Sequence, residues 1–252
     1  GSFPLPSGTD RRVFSNAYAS ARKALVEGLR LDESNPLHRD FVHIVIGSFK
    51  IKLETGLDVV NYPQHYDIHR QLTDVIREAM KGGTYVVDEN HAVLPEVNVI
   101  QMKAKEISEE FRKRVSLRVC ITGPLELYLK EVGTTAYRDV LLMFAETVRR
   151  FAKNSILDSK YLRTEVVSID EPSFGLCDVT ADKETVLDTL EKALDFAGAT
   201  KQIHLHSASR IAEILELSNL DVASLEYAAS PRNIDAVSKG LLEKADKQIR
   251  VG

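Results

Sequence analysis

Two histidines and a glutamate near the end of the chain have the residue types and spacing of a metal-ligand set. His204 and His206 occupy alternate positions at the end of a short apolar run, so in a β-strand both side chains would point to the same face. A helical pattern follows, and a second apolar run ends near Glu226. Strand, helix and strand of this length form a βαβ unit, whose two strands are parallel neighbours. We therefore predict that His204, His206 and Glu226 meet at one rim of the sheet and bind a first-row metal ion, with room for a fourth ligand.

A simpler interpretation of the two histidines stays open. Both could be ordinary strand residues, one hydrogen-bonded in the core and the other at the rim, with no metal between them. The carboxylate of Glu226 on the neighbouring strand favours the metal site, because two imidazoles and an acid then share one location.

The composition is that of an ordinary globular chain without a strongly charged surface. The 252 residues include 33 Lys and Arg against 37 Asp and Glu, a formal net charge of −4, which argues against a nucleic-acid partner and against a membrane surface. No apolar run approaches the roughly 18 residues that cross a bilayer, and no signal peptide is visible. Cys120 and Cys177 lie in or just after strand-like runs, so we expect reduced thiols in a cytoplasmic protein.

From residue 115 onward, apolar runs typical of strands alternate with helical patterns. Strands are predicted at 115–124, 165–172, 203–206, 222–227 and 248–252, and helices at 137–153, 182–197 and 230–245. The first half is less regular, with predicted helices at 12–28, 36–54 and 71–80 and a strand within 56–64. Residues 84–100 are interpreted as a hairpin or an excursion and not as strands of the barrel. Polar residues stand at the carboxyl ends of the predicted strands.

This alternation predicts an α/β fold, a TIM (β/α)8 barrel that occupies residues 1–252 as a single catalytic domain. An open doubly wound sheet would alternate in the same way, but it gathers its functional residues at one switch point. Here chemically functional groups end at least four different strands, which favours the barrel. The chain stops on a strand, so we expect the barrel to be incomplete at its C-terminus.

Six short motifs carry a resemblance to a known family. They are GSFP at 1–4, GLDVV at 56–60, ITGP at 121–124, IDEP at 169–172, H-x-H at 204–206 and LE at 225–226. In order and spacing they resemble the catalytic domain of cobalamin-independent methionine synthase and its short archaeal relatives, among the uroporphyrinogen-decarboxylase-like barrels. No single motif is specific, but together they imply methyl transfer to a thiol.

The resemblance implies a zinc site at the ends of two strands. His204 and Glu226 fall on zinc-ligand positions of the family, and His206 stands where the family has a cysteine ligand. Zn²⁺ with an open position would bind a thiol and lower its pKa, so that the reactive thiolate forms at neutral pH. Two histidines and a glutamate leave more positive charge on the ion than a cysteine-containing set, which would give a more acidic thiol and a less nucleophilic thiolate.

The same resemblance implies how an amino-acid substrate would be held. Asp170 falls on the carboxylate that binds the amino group of homocysteine, and we take it as the catalytic residue. Ser2 falls on the turn that binds the carboxylate end of the substrate, although Gly1-Ser2 is equally typical of an expression-tag remnant. Gln64 stands about where the family has a glutamate facing the amine. Glu171 is a further substrate-binding candidate, but adjacent strand residues face opposite sides, so a structural role is open to it as well.

These residues predict a zinc-dependent methyltransferase acting on a small-molecule thiol, with homocysteine as the leading acceptor and methionine as the product. The expected donor is methylcobalamin or a methyl-corrinoid protein docked at the rim. The alternatives are a coenzyme M methyltransferase, a metal-free decarboxylase, and a non-catalytic binding subunit with a degenerate metal site. A porphyrin decarboxylase would need arginines at the mouth, where these strand ends carry acids and histidines instead.

Overall fold

The computed structural model describes residues 3–251 and contains six parallel β-strands connected through helices. The strands are β1 (Val59–Asn61), β2 (Val115–Thr122), β3 (Leu162–Glu171), β4 (Thr200–Leu205), β5 (Val222–Leu225) and β6 (Gln248–Val251). The helices are α1 (Arg11–Val26), α2 (Pro36–Glu54), α3 (Arg70–Met80), α4 (Pro95–Met102), α5 (Ala104–Glu110), α6 (Pro124–Glu131), α7 (Arg138–Asn154), α8 (Lys183–Ala193), α9 (Ile211–Ile214) and α10 (Lys239–Ala245). Ser2 lies outside the described residues.

The sheet has the strand order of a barrel. Its order is β1 to β6 in sequence, and every pair of neighbours is parallel. A doubly wound sheet would reverse its order at a switch point, so that alternative is wrong. Within residues 3–251, β1 and β6 do not pair with each other, and the sheet is a curled half-barrel. This agrees with an incomplete (β/α)8 barrel, whereas the closed eight-strand barrel is not formed by the described residues.

Local sequence signals explain where several helices begin. The side chain of Asp10 accepts hydrogen bonds from the backbone N–H groups of Arg12 and Val13 at the start of α1. Asn35 caps α2 in the same way and is followed by a proline, whose missing N–H costs nothing in the first turn. Asp182 caps α8 through the N–H of Thr185. No helix in the described part of the chain is both long and apolar enough to cross a membrane.

Two predicted elements are only partly confirmed, since no barrel strand lies at 84–100 and helical structure does lie within 230–245. The predicted hairpin at 84–100 is instead a short 3-10 helix, Glu89–His91, followed by α4. Pro95 occupies the first turn of α4, a position that suits proline in a helix and would interrupt a strand ladder. The predicted helix at 230–245 is divided into a 3-10 helix, Pro231–Ala236, and α10. Ser238 caps α10 by accepting a hydrogen bond from the backbone N–H of Leu241, so a new helix begins at Lys239.

Candidate functional site

A cleft of about 590 Å³ opens at the carboxyl ends of the strands. Among the side chains that line it are Gln64, Arg118, Asp170, His204, His206 and Arg250. The strand register aligns four of the cleft residues, since Asp170 pairs with His204, His204 with Ser224, and Ser224 with Arg250. The parallel register therefore brings together side chains that are far apart in the sequence.

A polar network, which we call the polar floor, lies beneath the rim and consists of Arg118, Ser168, Gln202 and Arg250. The hydroxyl of Ser168 accepts hydrogen bonds from Arg118 Nη2 at 3.1 Å and from Gln202 Nε2 at 2.9 Å. Arg250 Nη1 donates to Gln202 Oε1 at 2.7 Å. The Ser168 hydroxyl in turn donates to Asp170 Oδ1 at 2.7 Å. The network thus fixes one oxygen of the predicted catalytic carboxylate.

His204 is held within the cleft in a form that can bind a metal. Its Nδ1 lies 3.1 Å from the hydroxyl of Ser224. Partial burial lowers the pKa of His204, and the nearby charge of Arg118 adds to this effect, while the carboxylate of Asp170 opposes it. The neutral imidazole is therefore favoured at neutral pH, which is the form that coordinates metal ions.

His206 and Glu226 face each other at the rim, just beyond the ends of β4 and β5. His206 Nε2 lies 4.0 Å from Glu226 Oε2, and the rings of His204 and His206 are 5.6 Å apart between centroids. The side-chain amide of the buried Asn233 donates to the backbone carbonyls of both His206, at 2.9 Å, and Glu226, at 2.8 Å. Asn233 therefore fixes the backbone on both sides of the pair.

The three predicted metal ligands come close together without forming a finished coordination sphere. Within residues 3–251, no three His, Cys, Asp or Glu side chains are grouped tightly enough to hold a metal ion as they stand. A tetrahedral zinc ion keeps neighbouring ligand atoms about 3.3 Å apart, and its imidazole centroids about 5 Å apart. The His206–Glu226 distance of 4.0 Å and the His204–His206 centroid distance of 5.6 Å are larger than these values, and the side chains of His206 and Glu226 are only half-buried. Two imidazoles and a carboxylate are donor types that suit zinc, but with these separations the metal site stays a prediction.

The two carboxylates of the IDEP motif have different surroundings. Asp170 lines the cleft, whereas Glu171 is 1% exposed and its carboxylate accepts hydrogen bonds from the backbone N–H groups of Leu125 and Glu126. Burial raises the pKa of Glu171 to about 8. A Cβ atom at Gly123 would lie 2.2 Å from Glu171 Oε1, so glycine is needed there. Glu171 thus caps α6, and its predicted contact with substrate stays a prediction.

Gln64 lines the cleft, but its amide is already engaged. Nε2 donates to the hydroxyl of Tyr62 at 2.8 Å and to the carbonyl of Cys120 at 3.3 Å. The backbone N–H of Phe3 donates to the carbonyl of Gln64, so the N-terminal segment passes beside this residue. The side-chain oxygen of Gln64 is the atom that could accept a bond from a substrate amine.

Several cleft residues are absent from the predicted ligand and substrate sets. His69 Nε2 lies 3.0 Å from the buried carboxylate of Glu126, and both line the cleft. The polar floor was also missed. Its signal is present in the sequence, because polar residues stand at alternate positions within otherwise apolar strands. Asn233 gives no comparable signal, since it lies in a short 3-10 helix outside the strands.

Comparison with known structures agrees with this architecture. The chain is similar to the structure of a B12-independent methionine synthase from Shewanella sp. W3-18-1 in complex with selenomethionine, with a TM-score of 0.51 and 16% sequence identity. The match covers 85% of this chain and 71% of that one. What the two share is the fold. No protein-family model and no curated protein matches the sequence.

Proposed function

We propose that this protein is an enzyme that transfers a methyl group to the sulfur of a small thiol, with homocysteine as the acceptor. The main support is the convergence of His204, His206, Glu226 and Asp170 at the carboxyl end of β3–β5, on a fold shared with a methionine synthase. That enzyme was crystallised with selenomethionine, an amino acid whose methyl group is bonded to selenium in place of sulfur. The carboxyl end of a barrel sheet is where active sites of this architecture lie.

His204, His206 and Glu226 would hold Zn²⁺, which lowers the pKa of a coordinated thiol. Neutral His204 is ready to donate a nitrogen lone pair without first losing a proton. Asp170 would bind the substrate ammonium, because its carboxylate is oriented by Ser168 and faces the same cleft. The thiolate sulfur would attack the methyl carbon of the donor, forming the C–S bond as the Co–C bond breaks and the corrinoid leaves as Co(I). Such an in-line displacement needs alignment more than acid–base help, which suits these fixed groups.

The methyl donor in this proposal is methylcobalamin or a methyl-corrinoid protein. A protein donor would approach the rim, where His206 and Glu226 are half-buried. Ser2 and Gln64 would complete the amino-acid site, since Phe3 is hydrogen-bonded to Gln64.

One observation favours a second candidate, a metal-free decarboxylase. The strand ends themselves carry no arginines, but Arg118 and Arg250 reach into the cleft from within their strands. Two guanidinium groups can hold the carboxylates of an acidic substrate. A decarboxylase needs no metal ion, so metal content separates the two functions.

The test compares wild-type protein expressed with ample zinc against His204→Ala, with His43→Ala as a control because His43 is exposed on α2. We expect stoichiometric zinc in the wild type and in the control, and loss of zinc in His204→Ala. Thiol-dependent decay of methylcobalamin absorbance should follow the zinc content. Zinc-free wild-type protein would contradict the metal site, and zinc-loaded protein that methylates no thiol would contradict the reaction.

A further inference from the structure

Two arginines extend into the cleft from the same face of the sheet, on strands that lie on either side of β3–β5. Arg118 belongs to β2 and pairs in register with Asn61 of β1, while Arg250 belongs to β6. Both line the main cleft and also a neighbouring cavity of about 400 Å³ that Lys52 and Asn61 help to form. The floor of the cleft is therefore positively charged.

Within the described residues, the side-chain hydrogen bonds of Arg118 and Arg250 go to neutral groups and not to carboxylates. Arg118 bonds to the hydroxyl of Ser168 and Arg250 to the amide oxygen of Gln202, both neutral groups. Arg118 Nε is buried and has no hydrogen-bond acceptor among residues 3–251. By contrast, Arg210 forms ion pairs with both Asp178 and Glu213.

Partly buried charges of one sign are costly without an anion nearby. Burial lowers the pKa of Arg250, and the positive charge of Arg118 lowers it further. The closest acid in the network is Asp170, and Ser168 stands between it and Arg118. A bound oxyanion in the cleft would offset this repulsion.

We infer that Arg118 and Arg250 bind the terminal oxyanion, a carboxylate or a sulfonate, of the thiol substrate. This inference rests on the proposed function. Guanidinium groups bind such anions through paired N–H donors. Arg250 is level with Ser224, and Glu226 follows two residues later, roughly 6.6 Å along the strand direction. An extended homocysteine spans about 5 Å from sulfur to carboxylate carbon by standard bond lengths, so one molecule can reach from the rim to the polar floor.

The two arginines are a second possible position for the substrate carboxylate, besides Ser2. Ser2 was predicted to bind the same group, and Ser2 lies outside the described residues. Substitution of each group in turn separates the two positions. If the arginines bind the carboxylate, the arginine variants should abolish the preference for an anionic thiol; if Ser2 binds it instead, Ser2→Ala should abolish that preference.

The experiment measures binding of two thiols to the zinc-supplied full chain by calorimetry. Homocysteine and 3-aminopropane-1-thiol have the same thiol and amine, but only homocysteine carries a carboxylate. We expect the wild type to bind homocysteine at least about tenfold more tightly, as one or two charged hydrogen bonds would give. In Arg118→Gln and Arg250→Gln the preference should fall to about one, while the affinity for 3-aminopropane-1-thiol stays unchanged. Coenzyme M, tested in parallel, distinguishes a sulfonate from a carboxylate.

Arg163→Gln is the matched control, because Arg163 is an exposed arginine near the start of β3, away from the cleft. It should keep the preference, and circular dichroism should show all variants folded. A preference that survives in both cleft variants, or that only Ser2→Ala removes, would overturn the inference. Inorganic sulfate gives an independent measurement: if it stabilises the wild type and neither cleft variant while no thiol is methylated, the anion site stands and the proposed function fails. If the protein methylates thiols but shows no preference for homocysteine over 3-aminopropane-1-thiol, the proposed function stands and the anion site fails.

Discussion

The two faces of the central sheet have different compositions, although their residues alternate along the same strands. On the helix-facing side, Ile169, Ile203 and Leu205 are fully buried. On the cleft side, Ser168, Asp170, Gln202 and His204 form the polar groups of the candidate site. Stability therefore depends mainly on one face and chemistry on the other, so neighbouring residues should respond to substitution in opposite ways.

Asp170 and Glu171 are adjacent carboxylates on opposite faces, and they give the largest expected contrast. Glu171→Ala leaves two buried backbone N–H groups without an acceptor and opens a cavity, so it should lower the free energy of unfolding by about 3–5 kcal/mol. Asp170→Ala should change it by about 1 kcal/mol or less and abolish methyl transfer. Urea denaturation of both variants tests this, and equal losses would contradict the division between the faces.

Leu205 and His204 are also adjacent residues on opposite faces, and here the residue on the helix-facing side is apolar. Leu205→Ala removes a fully buried side chain against the helices, and we expect a loss of about 2–4 kcal/mol. His204→Ala loses one contact with Ser224 in a partly open cleft and should cost about 1 kcal/mol or less. If thermal unfolding and urea denaturation find the two variants equally stable, the cleft face contributes more to folding than we propose.

The pH dependence of stability gives a smaller effect that isolates Glu171. Its folded-state pKa of about 8 lies above the value near 4.5 expected in the unfolded chain. The folded state then holds a proton that the unfolded state has released, so stability is greatest in acid and falls as pH rises. One such group lowers the free energy of unfolding by about 2 kcal/mol between pH 6 and pH 8. Glu171→Gln should reduce that slope strongly. Asp170→Asn should reduce it only slightly, because the charge of Asp170 is the smallest of the causes that raise the pKa of Glu171. Glu96, whose pKa is also raised to about 8, contributes a further decline in both variants.

Sequence alone predicted most of the strands and the long helices, because their apolar periodicities are strong and their caps are local. The helix α2 was predicted with its observed limits, from the glycine-bounded apolar pattern and Pro36. The βαβ argument predicted that β4 and β5 are parallel neighbours, and the register confirms it. The helix α6 was missed because its stabilising partner, Glu171, lies on a strand about 45 residues away.

The candidate site was predictable only in part. Side chains at strand ends, such as Asp170 and His204, follow from the fold class, since carboxyl ends of parallel strands share one rim. The contacts of the polar floor depend on how far neighbouring strands are staggered, which local sequence does not specify. The opposite surroundings of Asp170 and Glu171 follow from strand alternation, but which carboxylate faces the cleft depends on the register of β3.

The side-chain amide of Asn233 links the end of β4 to the end of β5, in addition to the hydrogen bond that the backbone N–H of Glu226 donates to the carbonyl of Leu205. Local opening of the 3-10 helix that contains Asn233 would release the backbones of His206 and Glu226 from its amide together. His204 would stay paired within β4. A cation bound by His204, His206 and Glu226 would then slow amide hydrogen exchange in that 3-10 helix. A molecule that orders this 3-10 helix from outside would therefore raise the affinity for the cation. By thermodynamic reciprocity, the bound cation would raise the affinity for that molecule by the same factor.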